Sequence, residues 1–427
     1  KEEFLKEACK IEGVYAPLLY DVYYNDDGTI KEMVANCGAP KKIKKRIVKD
    51  FDNVFYPSSF VVPFIEVVHD RVVDEIFRGC IRGCRFCQAG YLYRPIREKR
   101  AQTVNRQCKT LCETSGYDEI SLASLSTSDY TNLPELLEQM FEWTHSETIN
   151  ISLPSLRVDN FSDDLAQKLK LIRRSGLTFA PEAGTQRLRD VINKNVSKDE
   201  IISTCRKAFH EGWTAVKLYF MLGLPTETSD DIEGIASLGQ NVVDEFYSNP
   251  DKPKGKGVTV NISASSFVPK PFTPFQWEAQ DTPETMLLKQ EFLRKNITTK
   301  KINLSYNAVN ISYLEGIFAR GDRKLCRVLM AAWQKGCKFD SWDDHFRFDL
   351  WMQAFDECGV NPEFYAVRKR QFDEVLPWDH MDYGIGKEFL IGECKKAYAG
   401  ETTPNCRQKC SNCGILKLSG GVCDAAN

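Results

Sequence analysis

Nowhere in the 427 residues is there an uninterrupted run of eighteen apolar side chains, so no segment is suited to cross a bilayer as a helix. An excess of one charge is missing too. Lys and Arg number 57 against 59 Asp and Glu, a formal net charge of −2. That balance excludes a histone-like polybasic protein and confines any nucleic-acid contact to a local patch. No signal peptide is visible. Apolar content, at 42 %, is too high for a disordered chain, and the length calls for several domains or one large α/β unit. What the sequence has in abundance is cysteine, sixteen in all. In a long chain without a leader this points to a reducing, cytoplasmic setting in which some thiols bind metal. The chain opens at Lys1 rather than Met, from which a fragment or processed product is expected.

The cysteines divide by spacing. Cys9, Cys37, Cys108, Cys112, Cys205, Cys326, Cys337, Cys358 and Cys394 stand singly or nearly so and are expected to be small buried hydrophobes. Cys80, Cys84 and Cys87 form C-x3-C-x2-C; Cys406, Cys410 and Cys413 repeat it, with Cys423 ten residues on. Zinc usually draws four ligands from paired C-x2-C units, and a four-iron cluster is normally held by four Cys. Three thiols without a fourth nearby fit a cluster with one iron left open, the kind of vacancy a catalytic site keeps. Four in the tail leave two readings, an auxiliary iron–sulfur cluster or zinc.

Between these groups the pattern alternates. Val72–Phe77, Ile120–Leu125, Ile149–Leu153, Leu177–Ala180, Ala215–Leu222 and Val258–Phe267 are β-rich apolar runs. Leu133–Trp143, Leu165–Ile172, Ile201–Phe209 and Ile232–Val243 have helical spacing. Six strands separated by helices predict a parallel α/β sheet or partial barrel, with its chemistry at the C-terminal strand ends. The first cysteine loop follows the first strand. Residues 1–70 read as a lead-in with a hairpin about Asn25-Asp26-Asp27-Gly28, a basic run at Lys41–Arg46 and a stretch kept extended by Pro57 and Pro63. The barrel is placed at 71–310, with Ile302–Tyr306 as a further strand and 249–257 as a surface loop. A helical extension with a largely aromatic core, including Trp342–Phe355, follows at 311–400. A Cys-rich tail at 401–427 is expected to need metal for order.

The stretch Arg78-Gly79-Cys80-Ile81-Arg82-Gly83-Cys84-Arg85-Phe86-Cys87-Gln88-Ala89-Gly90 resembles the signature of radical S-adenosylmethionine (radical SAM) enzymes. The likeness continues in Leu153–Asp159, Ala180–Thr185 and Met221–Thr228, the last also resembling methylthiotransferases. Through Arg82–Arg97, Phe179–Val196, Val268–Trp277, Pro377–His380 and the tail, the whole chain is similar to an uncharacterised cobalamin-binding-type subfamily. Members of that subfamily usually carry an N-terminal Rossmann-like domain for cobalamin. This sequence shows neither that domain nor its Asp-x-His-x-x-Gly pattern, in which His345 and His380 do not sit. The missing Met leads to the expectation that such a domain lay upstream.

The resemblance implies that Cys80, Cys84 and Cys87 ligate three irons of a 4Fe–4S cluster. S-adenosylmethionine would chelate the fourth and, after one-electron reduction by a flavodoxin or ferredoxin, yield a 5′-deoxyadenosyl radical. It places Phe86 near the adenine, Ser155 and Glu182 by the ribose and methionyl groups, Arg157 on the methionyl carboxylate, and Gly184 among the cofactor-binding residues. Backbone around Leu222 and Gly223 would approach the adenine. The family's Gly-Glu motif after the second strand is replaced by Ser124-Leu125-Ser126-Thr127, so Ser124 and Ser126 stand in for it. Arg78, Arg82, Arg85, Arg94, Arg97, Lys99 and Arg100 crowd the loop, either as a positive field for an anionic substrate such as RNA or as partners of distant carboxylates. Methyl or related group transfer, aided by cobalamin from the absent domain, is the leading expectation. RNA modification and a non-enzymatic iron–sulfur or zinc protein are the alternatives. The substrate is not identified.

Overall fold

The computed structural model describes residues 1–155, 157–160, 177–250, 252, 255–421 and 423. Seven parallel strands form its centre: β1 (Val72–Glu75), β2 (Glu119–Ala123), β3 (Asn150–Ser152), β4 (Leu177–Glu182), β5 (Ala215–Leu222), β6 (Thr259–Ser266) and β7 (Ile302–Tyr306). They pair as a three-stranded sheet, β1-β2-β3, and a four-stranded sheet, β7-β6-β5-β4. The six runs read from the sequence are thus strands, and Ile302–Tyr306 is a seventh.

Alternation along the strands gives the sheet two unlike faces. In β5 the side chains of Val216, Leu218, Phe220 and Leu222 are buried, as are Val260, Ile262 and Ala264 in β6. These point toward the covering helices, while the opposite face carries Lys217, Tyr219, Asn261 and Ser263. One wall of the sheet is therefore apolar and the other polar, which suits an inner surface meant for a ligand. The helices lie where amphipathic spacing put them, at Leu133–Thr144, Lys198–His210 and Ser229–Ser248. The last two open with capping boxes, Ser197 with Glu200 and Thr228 with Asp231, which satisfy backbone N–H groups that the helix itself leaves unpaired. The stretch expected to be helical at 165–172 and part of the loop at 249–257 lie outside the described residues.

Other expectations need adjustment. The hairpin forms, Tyr20–Tyr24 against Ile30–Ala35. Val72–Phe77 is broken: β1 stops at Glu75, and Phe77–Arg78 pairs instead with Arg97–Glu98, folding the cysteine loop back on itself. The basic run is not a plain solvated face, because Ile43–Lys44 pairs with Met381–Asp382 and Lys45 donates to the carbonyls of Leu92 (2.7 Å) and Arg94 (2.5 Å). Residues beyond 308 are mainly helical, but the aromatics divide. Trp351 and Phe355 are buried, whereas Trp342 is exposed in a turn and not core. Of the nine single cysteines, Cys9, Cys108, Cys112, Cys205, Cys337 and Cys394 are buried; Cys37 and Cys326 are exposed. No helix among the described residues is long and apolar enough to cross a membrane.

Candidate active site

The cysteine loop leaves the end of the first sheet and closes on the short helix Gln88–Leu92. Gly79 makes the turn possible. Its φ is +100°, and a Cβ there would lie 2.8 Å from the Pro95 carbonyl oxygen. Gly79→Ala is expected to destabilise the protein by about 1–3 kcal/mol through left-handed strain and overpacking. An unchanged denaturation midpoint would show that the loop has room to give.

Beyond the turn, Cys80, Cys84, Phe86 and Cys87 line a cavity of about 390 Å³, inside the range of small-molecule sites. Its other walls are strand-end residues of both sheets: Ser126 after β2, Ser155 and Arg157 after β3, Glu182 on β4 and Tyr219 on β5. Two sheets facing one cavity make this a partial barrel whose open end is the site. Ser155 and Glu182 both hold positive φ, 60° and 68°, in a region that costs a non-glycine residue roughly 1–3 kcal/mol. Glu182 is met by Lys194 at 3.2 Å.

Burial makes the Cys80 and Cys87 thiols hard to ionise. Burial, then the neighbouring Cys84, pushes Cys80 up to about 12; burial and Cys84 likewise push Cys87 up to about 11. Such thiols stay protonated at neutral pH unless a metal takes the proton's place. The backbone N–H of Arg82 already points at the Cys80 sulfur, 3.4 Å away. Among the described residues no three Cys, His, Asp or Glu side chains converge on one point for a single ion. A cluster asks less convergence than zinc, since each thiolate takes a different iron.

Several expected ligand contacts are otherwise employed. Ser126 donates to Asp129 at 2.6 Å, and Ser124, bonded to Thr127 at 3.0 Å, is not among the lining residues. Arg157 lines the cavity but is forked onto Asp159, at 2.9 and 3.3 Å. Gly184, Leu222 and Gly223 stand behind the wall rather than in it. Gly184 packs so tightly on the helix Ser229–Ser248 that a Cβ would sit 2.3 Å from the Ile235 nitrogen, and the Gly223 N–H donates to Glu227 at 2.9 Å. Lys194 and Tyr219 line the cavity without having been singled out in the sequence. Tyr219 was readable as the polar face of β5, whereas Lys194 carries no local signal.

The basic loop resolves toward paired charges. Arg82 is held by Asp129 (2.5 Å) and Asp159 (2.8 Å), Arg85 by Glu393 (3.1 Å), Lys99 by Asp74 (2.6 Å), Arg78 by Glu75 (2.6 Å) and Arg100 by Asp52 (2.5 Å). Arg94 and Arg97 donate to backbone carbonyls. Most of this charge is therefore spent inside the protein, and the reading as a positive field for an anion is not what the geometry favours.

The tail cysteines meet in a second cavity of about 250 Å³, lined by Cys406, Cys410, Cys413 and Cys423 together with Arg94 and Cys80. The tail is packed against the body: Cys413 and Ile415 share a core with Tyr91, Trp277 and Trp378.

Against known proteins, the pattern of the radical SAM superfamily matches residues 75–239. An uncharacterized protein of Methanocaldococcus jannaschii is 32 % identical over 67 % of this chain and 60 % of its own length. A second protein of that organism, named as a methylthiotransferase, is 24 % identical over 38 % of this chain and 37 % of its own. The chain thus spans less than two thirds of the curated relatives it matches. Among solved structures, the cobalamin-dependent radical enzyme OxsB aligns with a TM-score of 0.39 at 12 % identity, over 79 % of this chain and 51 % of OxsB. Residues 75–239, which hold the cysteine loop and every residue lining its cavity, carry a radical SAM superfamily domain.

Proposed function

We propose that this chain reductively cleaves S-adenosylmethionine at a 4Fe–4S cluster held by Cys80, Cys84 and Cys87, and uses the resulting 5′-deoxyadenosyl radical in group transfer. The observation that carries the reading is one cavity joining all three loop thiols to strained Ser155 and Glu182 within the radical SAM match. The bound cluster would supply the electron that breaks the sulfonium bond; the protein binds, orients and keeps water out. Phe86 offers an apolar face for the adenine. Glu182, paired with Lys194, and Ser155 offer polar contacts to the ribose and the methionyl ammonium. Arg157, with Nε and Nη2 held by Asp159, would meet the methionyl carboxylate only through the donor that this fork leaves over. Arg82, buried between Asp129 and Asp159, fixes the loop backbone between Cys80 and Cys84.

Cobalamin fits these residues poorly. His380 is enclosed between Tyr15 and Tyr20, with ring centroids at 4.7 and 6.1 Å, and His345 stands exposed beside Phe339. Cobalamin-assisted transfer would need a binding unit other than these. RNA modification rests on the 24 % likeness to the named methylthiotransferase and on the resemblance of Met221–Thr228, and the paired loop cations do not add to it. The test is anaerobic reconstitution with iron and sulfide, then dithionite and S-adenosylmethionine. The expected product is 5′-deoxyadenosine; a fully loaded cluster that releases none would overturn the reading.

A further inference from the structure

The two cysteine cavities are adjacent. Cys80 lines both. The Cys406 N–H donates to the Ile81 carbonyl at 3.0 Å, so the tail is bonded to the first cysteine loop beside its leading ligand. Asn193 extends the seam, its amide donating to the Gly83 carbonyl (3.1 Å) while its oxygen accepts from the Thr403 N–H (2.8 Å).

Arg94 stands between them. Its guanidinium is buried, with Nε donating to the Gly90 carbonyl and Nη2 to the Arg82 carbonyl, both at 3.1 Å. The carbonyl of Arg94 is fixed in turn by Lys45. Its third nitrogen, Nη1, is buried with no nitrogen or oxygen acceptor among the described residues, and the groups that meet the guanidinium on this side are the sulfurs of Cys413 and Cys406, with which it lines the tail cavity. A buried cation whose remaining donor meets only neutral thiols is costly to maintain. Anionic sulfur would satisfy both its charge and its N–H.

Exposure gives the arrangement a direction. Cys410 is at the surface, Cys406 is half-buried and Cys413 is buried, and Cys80 borders both the tail cavity and the cavity proposed for S-adenosylmethionine. We propose that Cys406, Cys410, Cys413 and Cys423 hold a redox-active iron–sulfur centre, that Arg94 is its positioning residue, and that it is the inlet for the electron consumed at the loop. The step balances as single-electron transfer. One electron leaves a reduced low-potential donor of the flavodoxin or ferredoxin class, reduces the tail centre, and passes to the loop cluster, which returns the tail centre to its oxidised form. No proton or group moves. This rests on the loop cluster proposed above.

Arg94 should favour the reduced tail centre, which carries one more negative charge, so removing the guanidinium should lower its midpoint. The test is potentiometric titration followed by electron paramagnetic resonance on the anaerobically reconstituted full chain. Two signals are expected, and only the loop's should change when S-adenosylmethionine is added. Arg94→Gln should lower the midpoint of the other and slow loop reduction by flavodoxin about tenfold, the lower end for loss of a supporting partner. Arg94→Lys should restore both. If Arg94→Gln does not fold, Cys410→Ser at the exposed position should alter the tail signal and the flavodoxin rate while sparing the signal that responds to S-adenosylmethionine. Equal midpoints and rates, or zinc in the tail beside a loop cluster that still cleaves S-adenosylmethionine, would overturn this inference alone. Absence of iron from the loop would overturn the reading beneath it as well.

Discussion

Triple replacement of Cys80, Cys84 and Cys87 by alanine is expected to abolish 5′-deoxyadenosine formation and strip the loop of iron. Even the loss of a partner that only supports a metal ligand commonly costs ~10–100-fold in affinity or activity, so loss of three ligands exceeds that range. The fold should survive, because the loop is held by Arg82 on Asp129 and Asp159 and by Arg85 on Glu393, none of which needs metal. Iron analysis, product assay and circular dichroism on one preparation check all three points. Retention of cleavage by a folded triple variant would place the cluster elsewhere.

The second large effect is on stability. Arg85 is fully buried and donates to Glu393 and to the carbonyls of Asp190 (3.2 Å), Val191 (2.9 Å) and Glu401 (2.7 Å). Arg85→Met leaves Glu393 buried without its deepest partner and three carbonyls short of a donor. A cost of about 3–5 kcal/mol is expected, measured by denaturant unfolding at neutral pH. A loss under about 1 kcal/mol would mean that the site relaxes freely. The pH dependence carries a definite sign. Burial alone would raise the Glu393 carboxyl, but Lys396, Thr403 and Arg85 together hold it below its ordinary 4.5. A carboxyl lowered by folding stabilises above its unfolded value, and that stabilisation is lost as pH falls through the folded one. The gap between wild type and variant should therefore be widest near neutrality and narrow in acid, below about pH 4.

Much of the architecture was legible because it is written locally. Val216, Leu218, Phe220 and Leu222 alternate within one strand, and Ser197 sits three residues before Glu200 at a helix start. Cys80, Cys84 and Cys87 fall in one loop, so their spacing carried the chemistry. What stayed hidden was pairing at a distance. Arg82 finds Asp129 across 47 residues and Arg85 finds Glu393 across 308, so a loop that reads as strongly basic is largely neutralised in place. Ser126 looks free in sequence, yet it is taken by Asp129 three residues on, a local turn that hydropathy does not report. The contact of the tail with Cys80 has no local signature either, because it depends on how the helix Lys387–Tyr398 is anchored through Glu393.

That anchorage sets an order of events for a chain made from its N-terminus. The loop of Cys80, Cys84 and Cys87 emerges long before Glu401, whose carbonyl receives Arg85 from 316 residues upstream, and before Cys406, which bonds to Ile81. Domains fold as they are synthesised, so the barrel has its three thiols in place while the covering segment is still to be made. During that interval the segment that covers one flank of the loop is absent. Once Glu401 and Cys406 are made, their bonds to Arg85 and Ile81 cover one flank of the loop.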